Sequence, residues 1–207
     1  MTAAAPPMTD TDAIPLFPLN VVLLPGGRLP LRIFESRYID MVRECLRQDT
    51  GFGVVWRMNT EPGAGGGHAA VGTEARIRDF TTLEDGLLGI ECAGCRRFRV
   101  RATRARDNGL LIAEVSWFGE EAATSVSPRH GALQSLMRQV MQNRELAERI
   151  DVDLDDATSL GFALANLLPL DLPRSQQLLE MMDPAERLDA LVSMVEEVAA
   201  RQSNSET

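Results

Sequence analysis

The sequence predicts an α+β protein, a β-rich unit with one helix followed by a unit of about four helices. Three observations carry that class. Between residues 70 and 118, short apolar runs alternate with period two and are separated by Asp85-Gly86 and Asn108-Gly109, the period and turn chemistry of antiparallel strands. After Gly119 the apolar spacing lengthens to three and four residues and helix-start signals appear. The charge divides at the same place: residues 1–118 hold fourteen arginines against fourteen acids, residues 119–207 seven against sixteen. Strands followed by helices argue for α+β rather than an alternating α/β sheet, and the charge split argues for two units with different surfaces.

Taken in order, residues 1–12 are small, polar and proline-containing, and a disordered tail is expected there. The β unit is expected over 13–119. Pro15 and Pro18 cannot donate to a ladder, which confines them to strand ends or edges. Asn20–Leu24, free of proline and rich in Val and Leu, reads as the best strand of this stretch. Pro25-Gly26-Gly27 reads as a turn and Leu29–Phe34 as a second strand. Over Glu35–Gln48, Tyr38, Ile39, Val42, Cys45 and Leu46 recur at helical spacing, so one face meets a core. Phe52–Met58 is a strand and Asn59–Ala69, with its GAGGGH run, a surface loop. Four strands follow, around Val71–Ile77, Leu88–Cys92, Phe98–Ala102 and Leu111–Trp117, with Ala93-Gly94 expected to turn the chain between the second and third.

The helical unit is expected over 120–201. Ser127-Pro128 opens a helix running to about Arg149. A second runs from about Asp156 and stops before Pro169, and a third covers Pro173–Met182. Asp183-Pro184-Ala185-Glu186 opens the last, with Leu188, Leu191, Val195 and Val198 on one stripe. Residues 202–207 read as a frayed tail.

The composition excludes several chemistries. All 21 basic residues are arginine, so there is no P-loop lysine, no Ser–Lys dyad and no Schiff-base lysine. Neither GxSxG nor HExxH occurs. Cys92-Ala-Gly-Cys95 has thiol spacing, but Cys45, His68 and His130 are the only further soft ligands and none sits in a matching motif. A redox pair would open a helix, and this one lies among strands, so the cysteines read as structural. Gly63–His68 leads into a strand rather than a helix N-terminus, which is wrong for a phosphate cradle. No catalytic residue, metal or cofactor is expected.

The opening residues carry no positive n-region and no apolar h-region, so no secretory leader is expected. No apolar run is long enough to span a membrane. Three cysteines form no disulfide framework and suit a reducing cytoplasm. Two residue sets are candidates for binding. Phe34, Tyr38, Trp56 and Trp117 are large rings that either fill the core or line a ligand or peptide pocket. Arg97, Arg99 and Arg101 share one strand face and form the alternative, a row that follows a nucleic-acid backbone. A net charge of −9 and 5% aromatic residues argue against nucleic acid and for a solvated face paired with acids.

The order of residues also carries a resemblance. Pro15-Leu16-Phe17-Pro18-Leu19, Leu24-Pro25-Gly26 and Leu29-Pro30-Leu31-Arg32-Ile33-Phe34-Glu35-Ser36-Arg37-Tyr38 resemble the opening of the Lon amino-terminal, or LON substrate-binding, domain. The similarity continues through Val71-Gly72-Thr73, Asp85-Gly86 and Gly94–Val100. It resumes in Leu164-Ala165, Leu168-Pro169-Leu170, Gln176 to Glu180 and Glu186-Arg187-Leu188, so it spans about Ile14 to Val198. The resemblance implies a PUA-like β barrel or pair of sheets followed by a four-helix bundle. It implies a non-catalytic module that holds protein or peptide substrates, above all exposed apolar or unfolded segments, in the context of proteolysis. In the full protease this region precedes ATPase and Ser–Lys protease modules, neither of which a chain without lysine carries; a stand-alone protein, acting as an adaptor, is expected. The same domain type serves as a binding module in the ubiquitin-ligase receptor cereblon. No residue-level binding motif carries over.

Overall fold

The structure, a computed structural model, describes residues 8–58, 67–148 and 150–205. The chain divides into two compact units, one built on Pro7–Gly119 and one on Glu120–Thr207.

The first unit holds six strands and a helix: β1 (Met8–Leu19), β2 (Arg28–Ile33), α1 (Ser36–Gln48), β3 (Phe52–Trp56), β4 (Val71–Thr82), β5 (Leu88–Ala105) and β6 (Leu111–Phe118). The sheet order is β2-β5-β4-β3-β1-β6, and β5 pairs with β6 as well. Strands β5, β4, β3, β1 and β6 therefore close a ring, which removes their open edges. Strand β5 makes this possible by length. Its first six residues, Leu88 to Ala93, pair with β2, and Phe98 to Ala105 pair with β6. Strand β2 lies outside the ring and pairs only with β5 among the described residues.

Two apolar clusters follow from the alternation of side chains across the ring. Leu16, Val55, Phe98, Ala113, Val115 and Trp117 form one. Phe17, Val54 and Phe52 belong to the other, with Tyr38, Met41, Val42 and Cys45 of α1. Leu16 and Phe17, like Val54 and Val55, are sequence neighbours sent to opposite clusters, so β1 and β3 are covered on both faces. Of the four buried α1 side chains, Met41 and Val42 each contribute roughly 1.5–3 kcal/mol by burial. Helix α1 stops at Asp49, which takes φ 51° and returns its N–H to the Cys45 carbonyl. An aspartate tolerates this left-handed geometry better than most side chains.

Several expectations for this unit are corrected. Met8–Asp12 is strand rather than tail, paired with β6 from Phe118 to Val115. Asn20–Leu24 is irregular, and the strand is the proline-containing stretch before it. The sheet is not wholly antiparallel, because β1 and β3 run parallel from Leu16↔Gly53 to Leu19↔Trp56. A parallel pair needs a long crossover, and residues 20–51, carrying β2 and α1, supply it. Ala93-Gly94 does not turn. It lies inside β5, where Gly94 donates to the Gly27 carbonyl at 2.8 Å and accepts from Gly26 N–H at 2.9 Å. A side chain there would put Cβ 2.2 Å from the Leu24 oxygen, so this glycine answers a close backbone approach. Asp85-Gly86 and Asn108-Gly109 do turn, with both glycines near φ +80° and the Asp85 and Asn108 oxygens accepting from Leu87 and Leu110 N–H. Of the expected loop at Asn59–Ala69, residues 59–66 lie outside the described residues.

The second unit has a 3₁₀ turn (Pro128–His130) followed by α2 (Gly131–Val140), α3 (Arg144–Ala147), α4 (Ala157–Leu167), α5 (Leu172–Glu180) and α6 (Pro184–Ser205). The expected single helix from Ser127 to about Arg149 is broken after Val140, so among the described residues five α-helices stand where about four were expected. Asn143 explains the break. Its extended backbone caps α3, and its side-chain oxygen accepts from Glu145 and Leu146 N–H, an alternative to the helical ladder. Asp156, Asp171 and Asp183 make matching bonds to Ser159, Arg174 and Ala185. Ser127 sits at its expected cap position without a side-chain cap bond. Leu188 and Leu191 of the α6 stripe are buried, Val195 is half-buried, and the Val198 side chain lies outside those described.

A buried ion pair ties this unit together. Arg187, 0% exposed, donates from Nη1 and Nη2 to both Glu121 oxygens at 3.0 and 2.5 Å. Nη2 also donates to the Met181 carbonyl at 2.8 Å, and the guanidinium lies 4.0 Å from the Phe162 ring centroid.

Candidate functional site

The β unit presents an apolar groove of about 360 Å³ beside β2. Strand β2 contributes Pro30, Leu31 and Arg32, and β5 contributes Gly89, Ile90 and Glu91. Strand β4 adds Asp79, Phe80 and Thr81, with Leu83 just beyond. Register places Leu31, Ile90 and Phe80 side by side across the three strands. Ile90 is core, but Phe80 is 60% exposed. At Gly89 an added Cβ would meet the Leu83 side chain at 2.9 Å, so the glycine leaves room for Leu83 against the sheet.

Charges rim the groove. Arg32 pairs with Asp85, and Arg28 donates to Glu91 at 2.8 Å. Charged side chains and Pro30 are what a sheet edge carries to discourage indiscriminate strand pairing. An apolar floor, one exposed ring and a polar rim make this groove the candidate site; none of the lining residues is a nucleophile beside a base.

The four expected aromatic contacts are not gathered there. Phe34 follows β2 and is 69% exposed. Tyr38 is buried, its ring stacked on Phe17 at 3.9 Å with the Arg37 guanidinium 4.7 Å from its centroid. Burial pushes its hydroxyl pKa up. Trp56 ends β3, half-buried. Trp117 belongs to the other apolar cluster from Tyr38, meets Phe98 edge-on at 5.9 Å, and donates its indole N–H to Asp12 at 2.7 Å. Reasoning from sequence missed Phe80. The register shift between Ile77 and Asp79 breaks the alternation, and a ring placed after Arg78-Asp79 then reads as loop. A large apolar residue inside a polar run was the one available signal.

The arginine row is occupied from within. Arg97 is buried with its guanidinium 5.0 Å from the Phe118 centroid, Arg99 stands 5.7 Å from the same ring, and Arg101 donates to the Ser116 hydroxyl at 2.8 Å. Cys92 is buried and Cys95 half-buried on the same strand. Burial pushes the Cys92 thiol up to about 12, the wrong direction for a reactive thiolate. His68 bonds through Nδ1 with the Ala69 carbonyl, and His130 through Nε2 with Asp189 at 2.7 Å. Neither has a hydroxyl or thiol partner among the described residues. No group of three potential metal ligands occurs there, and no described helix is long and apolar enough to cross a membrane.

The family model described as the ATP-dependent protease La (LON) substrate-binding domain matches residues 13–197. The Lon protease of Escherichia coli strain K12 is 26% identical over 202 residues, covering 92% of this chain and 25% of that protein. Cereblon of Gallus gallus is 32% identical over 133 residues, 61% of this chain and 28% of that protein. This chain thus spans about a quarter of the length of the Lon proteases it matches. The crystal structure of a Lon N-terminal domain protein from Xanthomonas campestris superposes with a TM-score of 0.75 at 41% identity, covering 88% of this chain and 98% of that one. The N-terminal domain of the Mycobacterium avium complex Lon protease gives 0.64 at 21% identity, a likeness of fold.

Proposed function

The chain belongs to the LON substrate-binding domain family, and on that premise we propose that it is a non-catalytic module that recognises protein substrates by their exposed apolar segments. The observation that carries the reading is the groove beside β2, with Phe80 60% exposed at its wall. Hydrophobic burial is non-directional and scales with area, so such a groove accepts apolar side chains of many sequences, as a reader of unfolded segments must. The charged rim keeps it soluble and sets the polar boundary of what enters. The reading places the protein in the cytoplasm, acting in proteolysis as an adaptor, with no cofactor.

Fluorescence titration of the folded chain with unfolded model polypeptides tests this. Saturable binding in the micromolar range is expected. Phe80→Asp is expected to weaken it by ~10-fold or more, about 1.4 kcal/mol, without moving the unfolding midpoint, because that ring is largely in solvent. No binding at high micromolar concentration by the folded protein overturns the proposal.

A further inference from the structure

A second concavity, separate from the groove, lies where the C-terminal turn of α1 and the Thr50-Gly51 loop meet the ring, about 380 Å³ in volume. Four arginines line it: Arg76, Arg96, Arg104 and Arg106. Three carboxylates line it too, and each already has a donor. Glu74 accepts from Arg76 Nε at 2.8 Å and Arg96 Nε at 3.1 Å, Glu44 from Arg106 Nη1 at 3.0 Å, and Asp12 from the Trp117 indole.

The donors are far from exhausted. A guanidinium carries five N–H groups. Toward described protein atoms Arg76 donates with Nε and with Nη1, the latter to the Asp49 carbonyl. Arg96 donates with Nε alone and Arg106 with Nη1 alone, and Arg104 makes no bond to them. The framework beneath is built in. Glu74 is only 5% exposed, and Gly51 leaves it room, since a Cβ there would stand 2.8–2.9 Å from the Glu74 side chain. That buried carboxylate anchors Arg76 and Arg96 before any ligand arrives, so little ordering cost remains on binding. Arg96 lies 4.0 Å from the Trp117 ring centroid, and Ile14, Pro15 and Ile112 add apolar wall.

We propose that this cleft is an oxyanion site, taking the carboxylate or phosphate group of a compact ligand on the terminal nitrogens of Arg96, Arg104 and Arg106. Planar guanidinium forks match such groups two bonds at a time, and a concave wall concentrates their field. The site is independent of the groove beside β2.

The test is a titration of the full chain at low salt, followed by the Trp117 indole N–H resonance, which the Trp56→Phe variant assigns. Separate arms use inorganic phosphate, acetate, and one short peptide with either a free or an amidated C-terminus. A saturable shift with phosphate, or with acetate and the free peptide, is expected, and the responding arm identifies the source of the oxyanion. Arg104→Ala and Arg104→Gln are expected to weaken that ligand by ~10-fold, as for the loss of a charged hydrogen bond, with the unfolding midpoint unchanged. Arg43→Ala, on the exposed side of α1, and Phe80→Asp are expected to leave it as it was. The proposal falls if no arm saturates by ~10 mM, where a site with a Kd near 1 mM is mostly filled. It falls equally if the amidated peptide binds as well as the free one with phosphate and acetate inert, if both Arg104 variants bind like the parent, or if Arg43→Ala weakens binding as much as they do.

Discussion

Arg187 shows how much one side chain holds in the helical unit. Its side chain is closed off from solvent, and it is held by Glu121, the Met181 carbonyl and the Phe162 face. Removing Arg187 strips the buried Glu121 carboxylate of its two guanidinium bonds while the Thr158 hydroxyl still donates to it, a loss that costs about 3–5 kcal/mol, whereas an apolar pair of similar volume is near neutral. Arg187→Ala should therefore lower stability by that amount in urea denaturation, while Glu121→Leu with Arg187→Met should restore most of it. Cys92 gives a second expectation at this scale. Its folded thiol titrates near 12 against an ordinary 9.0, mainly because burial disfavours the thiolate. The unfolded chain therefore releases this proton first, and stability falls as pH rises from about 9 toward 12, by up to ~1.4 kcal/mol per pH unit. Denaturation midpoints between pH 8 and 11 should fall more steeply for the parent than for Cys92→Ala, and equal slopes would remove the thiol from the account. The Cys92-to-Cys95 spacing was plain in the sequence. So was the apolar alternation that puts Cys92 on the face of Ile90, whereas the strands that flank β5 were decided only by the fold.

At the scale of elements, glycine and asparagine decide where the sequence misleads. A glycine between two alternating runs reads as a turn, yet Gly94 keeps β5 continuous because another backbone lies 2.2 Å from where its Cβ would be. Gly94→Ala should destabilise by about 1–3 kcal/mol, the usual cost of overpacking. Gly131 makes the contrast, since an added Cβ there meets nothing within 4 Å at the start of α2. Gly131→Ala should stabilise by about 0.4–1 kcal/mol through the unfolded state. Thermal unfolding of both variants tests the pair, and shifts of the same sign would refute the distinction. Hairpin turns were legible because Asp85-Gly86 and Asn108-Gly109 act on their own neighbours. The bulge after Ile77 and the break after Val140 were not, because each trades a regular ladder for contacts elsewhere.

For the whole molecule, the charge division coincides with the boundary of the two compact units at Gly119 and Glu120. The helical part carries the acidic excess, and its buried ion pair is shielded from salt. Raising ionic strength from ~0.01 to 0.15 M shortens the screening length from ~30 to 8 Å. It should relieve the self-repulsion and raise the midpoint for loss of helical circular dichroism at 222 nm; a falling midpoint would mean that surface ion pairs outweigh it. By itself the sequence determined the α+β class, the helical stretch read over Glu35–Gln48 and the family, since these rest on local period and residue order. Only the tertiary structure decided that Met8–Leu19 is strand, that β1 runs parallel to β3, and that β5 closes the ring. It alone placed Phe80 in a groove while burying Tyr38 and Trp117, and brought Arg76, Arg96, Arg104 and Arg106 to one cleft. The physical reason is distance along the chain. Caps and periods act between residues a few positions apart, whereas Glu74 meets Arg96, and Trp117 meets Asp12, only once the ring has closed.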